Sequence, residues 1–176
     1  MPLIFRKACL DDAPAVADLL ARSWVAAYTG LIPKKVIARV NAKRPEQYRE
    51  RFAGEHNCYV AVLDGRVAGL CGIARVEEAD LPGWFRVGAF YVDPNVFRQG
   101  VGRQMMDFAI GMAREEGHPG VLLYVMEKNL RARRFYEACG FAHDGKRITA
   151  KFGWKRLGEL RYTMKLEMRN ENAEIF

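Results

Sequence analysis

The sequence predicts a mixed α/β domain with a largely antiparallel N-terminal half, its elements running βααβββαβαββ. Three observations carry that expectation. Apolar residues recur at helical spacing in several stretches, with β-rich runs between them. Asp64-Gly65 joins two of those runs as a two-residue hairpin turn. Gly120–Val125 (GVLLYV) is unbroken apolar sequence, typical of a strand buried on both faces.

In chain order, Leu3–Ala8 reads as a short strand. Asp11 or Asp12 is a natural N-cap for a first helix, in which Val16, Leu19, Leu20, Trp24 and Ala27 repeat at helical spacing before Tyr28–Gly30 stops it. A second helical stretch spans Pro33 to about Phe52 and is expected to break around Pro45. Cys58–Leu63 and Arg66–Arg75 are the hairpin strands, and Glu77–Gly83 is a polar connection. Trp84–Val92 is a fourth strand, with Gly88 as a bulge or kink and Asp93-Pro94 as its end. Val101–Glu116 is an amphipathic helix with Met105, Met106, Ala109 and Met112 on one face. The apolar fifth strand is followed by a helix at Leu130–Cys139, stopped by Gly140, and by strands near Arg147–Phe152 and Leu160–Met168. No repeat or low-complexity linker interrupts the chain. Residues 1–168 are therefore expected to form one domain, with 169–176 a frayed or interface-forming tail.

With 176 residues, half of them hydrophobic and 28% charged, the chain can build a real core, which excludes disorder throughout. No apolar run approaches the roughly 20 residues of a membrane helix, and the N-terminus lacks a signal-peptide pattern. A cytoplasmic protein without membrane association is expected. The four cysteines and three histidines are scattered without ligand spacing, so reduced thiols and no metal are expected. The net charge of +7 suits an anionic partner: nucleic acid, an acidic membrane face or a phosphorylated small molecule. Much of the basic surplus gathers between Arg98 and Arg161, in RQGVGR, KNLRARR, GKR and GWKR.

The segment Phe97-Arg98-Gln99-Gly100-Val101-Gly102 lies between a predicted strand end and a predicted helix start. A helix N-terminus offers unpaired N–H groups and a partial positive charge, so it attracts anions. Gly100 and Gly102 let the backbone approach a diphosphate closely, and Arg98 and Arg103 add charge at the rim. The alternative is an ordinary glycine-containing turn. A Walker loop is excluded because no Gly-Lys-Ser/Thr follows, and the dinucleotide GxGxxG is incomplete.

Tyr91-Val92-Asp93-Pro94 with Gly100-Val101-Gly102-Arg103 resembles the acetyl-CoA signature of the GCN5-related N-acetyltransferase (GNAT) superfamily. Asn129 through Phe141 (NLRARRFYEACGF) is similar to that superfamily's fourth-helix pattern, an Asn followed seven residues on by Tyr and then Gly-Phe. The order of elements agrees over nearly all of the chain before the tail. One position departs: the family usually has Gln or Arg three residues before the first glycine, where this chain has Phe97. The resemblance implies a sheet of about seven mostly antiparallel strands flanked by about four helices. It also implies acetyl transfer from acetyl-CoA, without a metal, to an amine on a small molecule or protein by direct attack in a ternary complex, and homodimers are common in the family.

Carried over residue by residue, the resemblance implies that Phe90, Tyr91 and Val92 present backbone groups to the pantetheine arm. Arg98, Gln99, Gly100, Val101, Gly102 and Arg103 would cradle the pyrophosphate. Asn129 would reach the pantetheine, and Tyr136 would protonate the departing thiolate. Seven residues is two helical turns, which puts Asn129 and Tyr136 on one helix face with the candidate cofactor contact Arg133 between them. Asn129 is equally an N-cap for that helix. Trp24 and Tyr28 are the candidate acceptor contacts. For the base that deprotonates the amine, Glu77, Glu78, Asp80 and His143 qualify only by chemistry. Two other readings stay open: a CoA-binding regulatory domain without turnover, and a basic nucleic-acid-binding domain, which lacks a helix-turn-helix or RNA-recognition signature.

Overall fold

The structure, a computed structural model, describes residues 3–167. Strand β1 (Leu3–Lys7) leads through a 3-10 turn into α1 (Ala13–Tyr28) and α2 (Lys34–Ala53). Strands β2 (Cys58–Leu63), β3 (Arg66–Ala74) and β4 (Phe85–Val92) follow, then α3 (Val101–Glu115), β5 (Gly120–Met126), α4 (Leu130–Ala138), β6 (Ala142–Phe152) and β7 (Lys155–Lys165). The predicted order of elements is the observed one. The seven strands form one sheet ordered β1-β2-β3-β4-β5-β7-β6, antiparallel at every junction except β4 with β5.

Layers on both faces close the core. On one face α3 and α4 cover Phe85, Val87, Val121, Leu123 and Tyr162 with Met105, Met106, Ala109 and Tyr136. On the other, Val16, Leu19 and Leu20 of α1 and Tyr48 and Phe52 of α2 pack on Cys58, Val60 and Leu70. Apolar residues at helical spacing on α1 and α3 are thereby removed from water, which is what stabilises helices of this length.

Several expectations need correction. The second helix is continuous through Pro45. Proline in a helix interior forfeits one hydrogen bond and costs roughly 3 kcal/mol, but the burial of Val36, Ile37, Tyr48 and Phe52 on both sides of it holds one axis. Asp12 stands at the N-cap of α1, but its side chain makes no capping bond to the helix. Its carboxylate turns back to accept from Arg6 Nη1 (2.6 Å), Arg6 Nη2 (2.8 Å) and the Cys9 N–H (2.8 Å), tying β1 to the helix entry. Trp84 precedes β4 rather than opening it. The last two strands are longer and start earlier than their apolar runs suggested, because a hairpin at 153–154 pairs them end to end. Met168 and the tail at 169–176 lie outside the described residues. Among the described residues no helix is long and apolar enough to cross a membrane.

Candidate active site

The site begins where the sheet comes apart. β4 and β5 pair only at Phe85–Val87 against Val121–Leu123, and among the described residues no further rung joins them. Gly88 is the extra residue of a bulge in β4, opposite the step from Gly72 to Ile73. Above it, Phe90, Tyr91 and Val92 stay paired to β3 alone, which leaves their other edge facing a gap. α1 pins the end of this strand: Ser23 Oγ donates to the Val92 carbonyl (3.0 Å), and Arg22 Nη2 donates to Asp93 (2.6 Å). Asp93 in turn accepts from the Asn95 N–H (3.0 Å), so the turn into the next loop is closed by its own side chain.

That loop ends in two left-handed residues, Arg98 at φ 63° and Gly100 at φ 82°. Gly100 sits at the N-cap of α3, and its conformation is one that residues with a Cβ rarely adopt. Gly102 is required for a different reason. A Cβ there would lie 3.3 Å from the Phe135 ring and 3.5 Å from Val92, so the glycine sets how closely α3 approaches α4 and β4. Gly100, Gly102 and Arg103 thus bring the start of α3 to the cleft, and the unpaired N–H groups of a helix start attract anions.

The cleft between the strands holds about 650 Å³. Of the residues picked from the sequence, Trp24, Tyr28, Phe90, Tyr91, Val92, Arg98, Gly100, Gly102, Arg103, Asn129 and Tyr136 line it. Gln99, Val101 and Arg133 do not. Gln99 is exposed and reaches back toward the Asn95 carbonyl, and Val101 is buried in the core beneath. Arg133 donates to the Tyr162 hydroxyl (3.0 Å) and to the Glu127 carbonyl (3.1 Å) on the far side of α4. The helical arithmetic failed there because Asn129 is the cap and not a helical residue. Its side chain accepts from the Ala132 N–H (3.2 Å), and counting back from Tyr136 the cleft face runs through Ala132. Arg103 lines the cleft but spends its guanidinium on Asp107 and the Ala138 carbonyl.

Two residues missed in the sequence change the picture. Arg131 stacks on the Phe97 ring, its guanidinium carbon 4.6 Å from the centroid. The position that lacks a basic side chain thus carries a platform for one supplied by α4. Glu159, on β7, is the only acidic residue lining the cleft among those described. Its strand was expected to begin only at Leu160, whereas β7 starts at Lys155. Burial pushes its carboxyl above the usual value, opposed by the positive charge of Arg86. The four residues considered as bases are placed otherwise. Asp80 is tied to Arg161 (2.6 Å) and Lys146 (3.1 Å), which hold its carboxyl far below the usual range. Glu78 lies 3.9 Å from Arg86, and neither Glu77 nor His143 lines the cleft.

Trp24, Tyr28 and Phe152 form the wall near Glu159, with Trp24 5.0 Å from Tyr28 and 6.3 Å from Phe152 between centroids. Arg44, itself buried, lies over the Trp24 ring at 4.5 Å. Burial, with Tyr91 nearby, pushes the Tyr28 phenol well above its usual value. Burial does the same to Tyr136, whose ring packs among Phe90, Phe135 and Phe141. Both stay neutral hydrogen-bond donors at any working pH.

A sheet forked at its one parallel junction, with a glycine-started helix below the fork, is the fold of an acetyltransferase. Residues 15–141 match the Acetyltransferase (GNAT) family, and the chain belongs to that family. A protein of Mycobacterium tuberculosis named "Probable N-acetyltransferase Rv2775" is 26% identical over 152 residues, 83% of this chain and 81% of the other. Among solved structures, the PaiA N-acetyltransferase of Thermoplasma acidophilum in complex with coenzyme A superposes with a TM-score of 0.77 at 16% identity, over 94% of this chain and all of that one. The ribosomal-protein-S18-alanine N-acetyltransferase of Escherichia coli gives a TM-score of 0.69 at 18% identity, over 99% of this chain and 100% of the other.

Proposed function

We propose that this chain transfers the acetyl group of acetyl-CoA to a primary amine by direct attack, with both substrates in the cleft together. The observation that carries the reading is the polarity of the cleft. Arg98 and Arg131 lie at the loop end, with Arg103 beside them partly taken up by Asp107. Glu159, the one carboxylate that lines the cleft among the described residues, stands with the aromatic wall. A diphosphate fits the first end by charge, by the N–H groups of α3 and by the close approach that Gly100 and Gly102 allow. The free edge of β4 offers main-chain groups to an extended amide-containing arm, as a neighbouring strand would, and an N–H aimed at the thioester carbonyl would stabilise the charge that develops on its oxygen. Tyr136 donates its hydrogen bond to the departing sulfur. Among the described residues no cysteine lines the cleft, and Cys139 is buried in the core, so direct attack is favoured over an acyl-cysteine route.

The test combines binding with turnover. CoA should raise the melting temperature, and thiol should be released from acetyl-CoA only when an amine is supplied. Stabilisation without thiol release over a broad amine panel would instead make the chain a CoA-binding regulator, and no stabilisation would remove the diphosphate assignment.

A further inference from the structure

The cleft-facing side of β7 holds a carboxylate that the loop motif and the fourth-helix motif leave unused. Glu159 is registered opposite Met126 of β5 and Ile148 of β6, so it stands one strand beyond the fork, on the strand next to β5. Its carboxylate makes no side-chain hydrogen bond or salt bridge to another described residue. The charged and titratable groups near it are Tyr28 from α1 and Arg86 from β4, while Tyr124, whose hydroxyl is taken up by Glu78, lines the same cleft with Met126 and Phe152. Arg86 is occupied in part: it lies over the Tyr124 ring at 5.4 Å and 3.9 Å from Glu78. The wall around the carboxylate is built from Trp24, Tyr28 and Phe152. An unpaired carboxylate among rings is a site for an ammonium group borne on an apolar body.

Building on the acetyl transfer proposed above, we infer that Glu159 holds the acceptor's ammonium group and takes its proton, and that the acceptor is an unhindered primary amine on an aromatic or alkyl body with no anionic group beside the amine. In proton terms, the ammonium gives one proton to the Glu159 carboxylate, and the freed nitrogen lone pair forms the C–N bond to the acetyl carbon. The C–S bond breaks, and the thiolate takes a proton from Tyr136. That phenol is restored by the second proton the nitrogen sheds, and Glu159 releases the first to solvent. The sum is ammonium plus acetyl-CoA giving amide, CoA thiol and one proton. A carboxylate next to the amine, as in an α-amino acid, would be driven against Glu159 in a poorly solvated cleft, and like charges at such range cost about tenfold or more.

The experiment uses the full chain with acetyl-CoA and phenethylamine, tyramine, phenylalanine and tyrosine as acceptors, and compares wild type with Glu159→Gln and Glu159→Asp. For wild type, kcat/KM with phenethylamine or tyramine should exceed that with the matching amino acid by about tenfold or more. It should also reach a plateau well below the amine's own pKa of about 10, because ionised Glu159 with bound ammonium is the reactive form. In Glu159→Gln the plateau should vanish, with kcat/KM rising about tenfold per pH unit as free amine appears, and the rate at pH 7 should fall about 10²-fold. Glu159→Asp should keep the plateau at a lower rate. Acetyl-CoA affinity, measured in parallel, should be unchanged in both variants and so reports on folding. A Gln variant whose profile superimposes on wild type would overturn the role of Glu159 while leaving acetyl transfer intact. Equal use of amines and amino acids would overturn the acceptor class. Wild type that acetylates none of these amines yet still binds acetyl-CoA would overturn both.

Discussion

Tyr136 is enclosed by aromatic rings, with Phe135, Phe90 and Phe141 at 5.4, 6.2 and 6.2 Å, and it still lines the cleft. The hydroxyl's use and the ring's use are therefore separable. Tyr136→Phe keeps the packing and deletes the donor. We expect kcat to fall about 10²-fold, as for a positioned general acid, with acetyl-CoA affinity within a few-fold of wild type. Full turnover in the Phe variant would reduce the residue to packing. Asp12 is the second residue whose contribution can be isolated. Arg6 is the main cause that holds its carboxyl below the usual range, helped by the Cys9 N–H and opposed by burial. A depressed carboxyl contributes stability above its unfolded value of about 3.9 and loses it as pH falls through the folded value. Asp12→Asn should therefore lower the melting temperature by about 2–4 °C at pH 7, on the order of 1 kcal/mol because Arg6 is half exposed. The difference from wild type should shrink steadily below about pH 4. A gap that persists at pH 2 would assign the loss to shape rather than charge.

At the scale of elements, the start of α3 divides its two glycines by task. Gly100 has open space around it apart from the Gln104 amide at 3.5 Å, so Gly100→Ala tests backbone conformation alone. It should cost about 1–2 kcal/mol of stability and weaken acetyl-CoA binding at least about tenfold, read by melting and calorimetry. Unchanged affinity in a folded variant would detach the loop from the diphosphate. Gly102→Val is the poorer probe, since its side chain would strike Phe135 and Val92 and move α4 as well. This loop was legible in the sequence because everything it needs is local: a strand end, two glycines and a helix start within a dozen residues. Asn129 and Tyr136 were legible for the same reason. Glu159 and Arg131 were not. Each reaches the cleft through pairing or stacking with residues distant in the chain or across a loop, and the last strand, expected from Leu160, left Glu159 outside it. The alternation of a strand tells which residues share a face but not which face meets a cavity.

Over the whole molecule, part of the basic surplus behind the net +7 meets at one place: Arg98, Arg103 and Arg131 line the cleft, with Arg131 stacked on Phe97 of the loop. Long-range attraction of a polyanion by such a group is screened by salt, with a Debye length of about 10 Å at 0.1 M. The affinity for CoA should accordingly fall more steeply with added salt than that for pantetheine, which has no phosphate. Equal slopes would mean that the basic surplus serves another partner. Composition showed the surplus and its rough place in the chain. Its convergence required the fold, because α4 and the loop after β4 meet only across the fork.

The fork has one more consequence, visible when β4 is regarded as an edge. Sheet edges expose unpaired backbone groups and invite strands from other chains, and proteins blunt them to avoid aggregation. Here the raw edge of β4 lies in the interior of a seven-stranded sheet, roofed by Trp24 and Tyr28 on one side and by Phe135 and Tyr136 on the other. The polypeptide keeps an adhesive edge without exposing it to its neighbours in solution.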